Sequence, residues 1–235
     1  EEFLKSHAKL RAEKPAIIAV DVDTDQSHTI SYSELVILVK RAASWLTELG
    51  IGKGDRFAIL MQNTPEVFIL ELAGALIGVA TVPLDFKRDT QERKLFKLKD
   101  SQAKALFIKY EGEPPSDAFP DLFIRSWTTF SDFVKFLPSA SIKKTVKTLE
   151  NHYIILYTSG TTALPKGVLL STRACLLNAM GIVDWQQFTE DDVFNVVLPL
   201  HHINSTEFCL AMFLVGGTIV LTSRYSTSHF WHIVG

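Results

Sequence analysis

The sequence predicts an α/β protein with mostly parallel sheets flanked by helices. Two observations predict it. Short apolar runs of strand length alternate with helical apolar spacing along most of the chain. The 235 residues are 47% hydrophobic and 21% charged, enough to bury a sizeable core in one large domain or two small ones.

Ser31-Tyr-Ser-Glu34 reads as a capping box, with a hydroxyl at the N-cap and a carboxylate three residues on. Leu35, Val36, Val39, Ala42, Ala43, Leu46 and Leu49 then recur at helical spacing, and Gly50 stops the helix. Phe57 to Met61 is an apolar strand. Thr64-Pro65 is an N-cap followed by proline in the first turn, so a helix runs from Pro65 to about Ile77 and a strand follows over Val79 to Pro83. Thr90 to Lys99 is an amphipathic helix and Lys104 to Ile108 a strand. Glu111 to Pro120 is a proline-rich loop, and Thr128 to Leu137 a short helix. Pro138 to Glu150 is polar and lysine-rich, the best candidate for a junction between subdomains. Beyond it come a strand (Tyr153 to Tyr157), a polar loop, a strand (Val168 to Leu170), a helix (Thr172 to Gln186) and a strand (Val193 to Leu198). An apolar helix around Phe208 to Leu214, a strand from Thr218 to Leu221 and a helix from Thr227 to Val234 complete the chain.

Composition excludes several classes. The net charge is −2, and the densest basic run, Lys143, Lys144 and Lys147, reads as a solvated loop, so no nucleic-acid partner is expected. Val67 to Val82 is the longest apolar stretch. It contains Glu71 and Gly74 and is shorter than the roughly 20 residues a membrane helix needs. It reads as a buried helix running into a strand. Cys175 and Cys209 each sit in an apolar run without a Cys-x-x-Cys pair, so they read as buried free thiols in a reducing cytoplasm and no metal site is expected from them. The first residue is Glu1, not Met, and the chain stops inside an expected helix; a fragment of a longer protein is the expectation.

The chemistry concentrates in Tyr157-Thr-Ser-Gly-Thr-Thr-Ala-Leu-Pro-Lys-Gly-Val168. Thr158, Ser159, Thr161 and Thr162 are hydroxyl residues around Gly160, and Lys166 follows. Hydroxyls and backbone N–H groups on a tight turn suit phosphate oxygens, with a cation at the rim. The common nucleoside-triphosphate loop needs a second glycine before its lysine and a hydroxyl after it. Here Pro165 and Gly167 occupy those places, and proline removes a donor. By composition alone, a plain polar loop between two strands stays open.

This segment closely resembles the phosphate-binding loop of the adenylate-forming superfamily, which includes acyl-CoA synthetases, peptide-synthetase adenylation domains and luciferases. The resemblance extends over nearly the whole chain. Thr29 to Glu34, Gly54-Asp55-Arg56 with Phe57 to Leu60, Asn63-Thr-Pro-Glu66, Gly74 to Leu84 and Asp100 to Ala105 are similar to that family's scaffold segments. It implies an incomplete N-terminal domain over residues 1–235, with sheets and helices layered αβαβα and a mobile C-terminal domain absent. It implies that Thr158, Ser159, Gly160, Thr161, Thr162, Lys166 and Gly167 hold the phosphates of ATP, with Lys166 also catalytic. Ala163 departs from the family's glycine.

Leu198-Pro-Leu-His-His-Ile-Asn204 is the second segment. Adjacent residues on an extended chain point opposite ways, so His201 and His202 are not expected to share a metal ion. The resemblance assigns His202 to the acyl tunnel near the substrate carboxylate, with His201 in place of an aromatic residue; a structural histidine is the competing reading. Asn204 joins His202 on the substrate side, and Ile203-Asn204 is more similar to carnitine- and fatty-acid-type CoA ligases.

The resemblance thus implies a ligase that uses Mg²⁺ and ATP to convert a carboxylic acid, fatty or otherwise aliphatic, to an acyl-adenylate and then to an acyl-CoA. The adenine, ribose and magnesium residues are expected beyond Gly235, which would leave this chain inactive alone. An adenylation domain that loads a carrier protein and a non-catalytic nucleotide-binding module are the alternatives.

Overall fold

A computed structural model describes residues 2–109, 122–139, 142, 145, 148–158 and 164–234. The loop expected over 111–120 and the lysines at 143, 144 and 147 lie outside them. The chain forms two compact units. One comprises residues up to Leu38, Gln62–Pro65 and Cys175 onward; the other comprises Val39–Met61 and Glu66–Ala174.

The first unit holds α1 (Glu2–Leu10), β1 (Pro15–Asp21), β2 (Gln26–Ser31) and the start of α2 (Tyr32–Glu48). The capping box at that start is made as expected. The Ser31 N–H donates to Glu34 Oε2 at 2.8 Å, and the Glu34 N–H donates back to Ser31 Oγ at 3.3 Å. Later come most of α6 (Thr172–Gln186), β9 (Val193–Val196), α7 (Ile203–Val215), β10 (Thr218–Thr222) and α8 (Thr227–Val234). The four-stranded sheet has the order β2-β1-β10-β9. β1 and β9 flank β10 in parallel, and β2 runs antiparallel to β1. Side-chain bonds tie distant segments to it. Tyr32 Oη donates to the Gly217 carbonyl at 2.6 Å, and Thr218 Oγ1 to that of Pro15 at 2.7 Å. Phe208 of α7 stacks on Phe194 of β9, centroids 5.2 Å apart, and the buried ring of Phe213 also belongs to α7, which is largely apolar and largely buried. Its Glu207 is only 3% exposed. The Cys175 thiol and the Asn178 amide donate to this carboxylate, but its Oε2 has no partner among the described residues. Burial outweighs those bonds and raises the Glu207 pKa above its ordinary 4.5.

The second unit holds the rest of α2, β3 (Arg56–Leu60), α3 (Pro65–Ile77), β4 (Ala80–Pro83), α4 (Gln91–Ser101), β5 (Ala105–Lys109), β6 (Phe123–Trp127), α5 (Phe130–Phe136), β7 (His152–Thr158) and β8 (Lys166–Ser171). The α2 helix gives way to Gly50, whose φ of +74° suits a residue without a Cβ. The six strands have the order β6-β5-β3-β4-β7-β8. All neighbours run parallel except β8, which turns back along β7. Alternate residues serve opposite faces. Ala58, Leu60, Val82, Leu106, Ile108 and Ile155 form one core face with Leu98 of α4. Phe57 and Phe107 face the other way, where Phe107 meets Trp45 of α2 at 5.0 Å and Trp127 at 6.3 Å between ring centroids. Both flanks of 138–150 belong to this unit, and the Pro138 carbonyl accepts from Arg41 Nε at 2.8 Å.

Three local expectations need correcting. The Thr64 hydroxyl does not cap α3; Oγ1 is buried with no partner among the described residues. The α5 helix begins at Phe130, because the Thr129 side chain, rather than Thr128, accepts from the Asp132 N–H at 3.2 Å. The apolar helix expected around Phe208 begins earlier, at Ile203.

Glu66 carries a fully buried carboxylate in this unit. Its side chain is 0% exposed, Lys109 Nζ stands 2.6 Å from Oε1, and Trp127 Nε1 donates to the same oxygen at 3.2 Å. Removing the cation strands a carboxylate in the core. Lys109→Met should therefore cost about 3–5 kcal/mol in urea unfolding. The Glu66→Gln/Lys109→Met double variant should regain much of that; equal loss in both would show that the ion pair is not the cause. Glu207 gives a pH signature. A carboxyl whose folded pKa is raised adds stability below its unfolded value, and that stability fades as pH rises through the folded value. Glu207→Gln should raise Tm at pH 8 and change it little at pH 4, as read by thermal melts across that range.

Candidate functional site

The five parallel strands β3, β4, β5, β6 and β7 end on one side of the second unit's sheet, at Leu60, Pro83, Lys109, Trp127 and Thr158. Ligands of open α/β sheets bind outside such carboxyl ends. The hydroxyl-rich loop leaves the sheet there, after Thr158, and returns at Lys166. The hairpin register places Thr158 opposite Lys166 and Tyr157 opposite Gly167. Thr158 Oγ1 lies 3.5 Å from the Lys166 carbonyl, and both side chains are exposed. Among the expected phosphate ligands, Ser159, Gly160, Thr161 and Thr162, with Ala163, lie outside the described residues. The described remainder is a hydroxyl facing a lysine across a hairpin mouth, a donor set that fits phosphate oxygens.

Below the mouth the hairpin is anchored. Tyr157 Oη donates to Asp100 Oδ2 of α4 at 2.7 Å. Burial and the Asp100 carboxylate hold this phenol above its usual value of 10.0. Gly167 has an ordinary backbone conformation, but an added Cβ would lie 3.2 Å from both Ile155 Cγ2 and Tyr157 Cζ. Its bare backbone is therefore a packing requirement of the Tyr157 ring. No local pattern around Tyr157 announces the Asp100 contact, which lies far away in the chain.

In the first unit, the loop after β9 carries the histidines, and it too leaves from a strand's carboxyl end. The expectation that their rings diverge is not met. The His202 N–H donates to the Pro199 carbonyl at 3.1 Å, so the chain turns here, and the two ring centroids lie 4.4 Å apart at an interplanar angle of 52°. His202 is the N-cap of α7 with φ −104° and ψ 138°, and its ring makes no capping bond. His202 and Asn204, the next residue but one, are both exposed.

Asn63 holds this loop from both sides and was read only as scaffold. Its Nδ2 donates to the Leu198 carbonyl at 3.0 Å, and its Oδ1 accepts from the Leu200 N–H at 2.9 Å. Ser205 and Thr206 hydroxyls add bonds to the carbonyls of Leu198 and Leu200, each at 3.1 Å. The position of His202 is thus set by four bonds from outside the loop.

Comparison with known proteins covers nearly the whole chain. A family model described as "AMP-binding enzyme" matches residues 4–234. The indoleacetate–CoA ligase of Aromatoleum aromaticum is 29% identical over 239 residues, covering 95% of this chain and 45% of that protein. The crotonobetaine/carnitine–CoA ligase of Salmonella arizonae is 31% identical over 242 residues, covering 95% of this chain and 46% of its own length. The Bacillus subtilis o-succinylbenzoate coenzyme A synthetase, solved with ATP and magnesium ion, superposes with a TM-score of 0.83 at 26% identity, covering 99% of this chain and 60% of that one. The chain spans about half the length of the curated relatives it matches.

Proposed function

Because the chain belongs to the AMP-binding enzyme family, we propose that it serves a protein that joins a carboxylic acid to coenzyme A at the expense of ATP. A carboxylate oxygen attacks the α-phosphorus of the magnesium nucleotide, and the bond to the bridging oxygen breaks to release pyrophosphate. The thiol of coenzyme A then bonds to the acyl carbon, AMP leaves with the former carboxylate oxygen, and the thiol proton passes to solvent. The observation that carries this reading is the hairpin mouth at the sheet's carboxyl end, with Thr158 facing Lys166.

In this reading Thr158 and Lys166 hold phosphate oxygens, together with Ser159, Gly160, Thr161, Thr162 and the backbone at Gly167. Lys166 also offsets charge that builds on the leaving pyrophosphate. Mg²⁺ arrives with the nucleotide and neutralises its phosphates. His202 and Asn204, on the loop that Asn63 fixes, belong to the acid side. The run Ile203-Asn204 and the carnitine-type relative favour an aliphatic acid, fatty acids included; the indoleacetate relative makes an aryl acid the competing class. Coenzyme A is favoured over a carrier protein because both curated relatives are named CoA ligases. The cytoplasm, which supplies ATP and coenzyme A, is the proposed compartment, in keeping with two buried cysteines that are not joined in a disulfide.

The whole reaction is proposed for the full-length protein, since this chain matches under half of either ligase. The test is ATP–pyrophosphate exchange with short, medium and long fatty acids, aryl acids and amino acids, run on the full-length protein and on these 235 residues. Exchange that depends on one acid class, present in the former and missing from the latter, is the expected outcome. Exchange by the short chain alone would overturn the division of labour. No exchange with any acid in the full-length protein would overturn the ligase reading.

A further inference from the structure

The residue just before the hairpin mouth is gripped from two sides. Tyr157 lies across from Gly167, and a Cβ there would come within 3.2 Å of Cζ and 3.3 Å of Cε1, so the ring rests on bare backbone of β8. An aromatic ring over a cross-strand glycine is a known way to pin register. On its other side the ring meets α4. Its hydroxyl donates to Asp100 Oδ2 at 2.7 Å and lies 3.3 Å from the Lys97 carbonyl. Lys97 Nζ stands 5.6 Å from the ring centroid.

Lys97 is itself fixed. Its ammonium pairs with Asp89 Oδ2 at 2.5 Å, with side chains only 9% and 6% exposed, and the same oxygen accepts from the Asp85 N–H at 3.0 Å. The chain of contacts therefore runs from the loop after β4, through Asp89 and Lys97, to the Tyr157 ring and on to Gly167. Thr158 follows Tyr157 directly, and Lys166 precedes Gly167, so the clasp sits one residue below the two described phosphate ligands.

We propose that Tyr157 is a positioning residue for nucleotide binding: clasped between Gly167 and Asp100, it locks the hairpin stem to α4 and so fixes where Thr158 and Lys166 stand relative to the phosphates. This rests on the phosphate-binding reading of the hairpin given above. The phenol keeps its proton across the working pH range, because burial and Asp100 both oppose its loss, and so remains a donor. Asp100 acts only through Tyr157.

Tyr157→Phe removes the hydroxyl and keeps the ring; Asp100→Asn keeps a neutral acceptor; Gly167→Ala pushes a methyl into the ring. Two measurements separate the outcomes. The first is amide hydrogen exchange at residues 155–158 and 166–168 without nucleotide. Tyr157→Phe should speed it by about tenfold, the scale of one lost hydrogen bond to a charged group, Asp100→Asn by less, and Gly167→Ala by at least as much. The second is steady-state kinetics of the full-length protein, where the KM for ATP should rise by about threefold to tenfold in Tyr157→Phe, with the KM for the acid unchanged. Unchanged stem exchange in Tyr157→Phe overturns the clasp, whatever the nucleotide does. Faster exchange with an unaltered KM for ATP reduces Tyr157 to a stabilising residue and overturns the positioning role. An unsubstituted protein that shows no saturation with ATP overturns the phosphate reading itself, and with it the purpose of the clasp, while the exchange result still decides whether the clasp exists.

Discussion

The antiparallel return of β8 along β7 is the constraint on which the candidate nucleotide site depends. A parallel partner for β7 needs a crossover of a dozen or more residues, usually a helix, whereas only residues 159–165 separate the two strands. The chain can only fold back. Once it does, register sets the rest. Thr158 meets Lys166, Tyr157 meets Gly167, and the loop must open at the carboxyl end of the strands beside it. The proline before Lys166 is buried, in keeping with a residue that lacks an N–H to offer the ladder.

Both units build their loops on the same plan. Parallel strands end together, and the residues with chemical potential follow the strand ends. What differs is how each loop is held. The hairpin is held by its own ladder and by an aromatic clasp on α4. The His202 loop is held by side chains reaching its carbonyls and N–H groups, with Asn63 supplying both a donor and an acceptor. The amide is suited to that work because it offers both functions on one rigid plane.

Much of the fold was legible because it is written locally. The capping box at Ser31 and Glu34, the bounds of α6 and α8, and the alternation of strand and helix all depend on neighbours within a few residues. The family resemblance rested on a contiguous loop and was confirmed across residues 4–234. Other features were not legible. β2 is polar and mostly exposed, so it carries no core pattern, and α1, β1 and β6 were not assigned either. The pairing of the two histidine rings followed from a turn that spacing on an extended strand does not foresee. Glu66 stood only in a segment similar to the family's scaffold; its burial comes with Lys109 and Trp127, which lie on strands far along the chain. Asn63 and Tyr157 likewise owe their roles to partners that no local window contains.

The placement of the four tryptophans has an optical consequence. Trp45 and Trp127 are 6% and 4% exposed and both belong to the second unit. Trp185 and Trp231 are 82% and 77% exposed and both belong to the first. Each unit therefore carries its own class of fluorophore. Iodide will quench the long-wavelength emission of one and leave the blue-shifted emission of the other, so a single cuvette resolves the two halves of the chain without any introduced label.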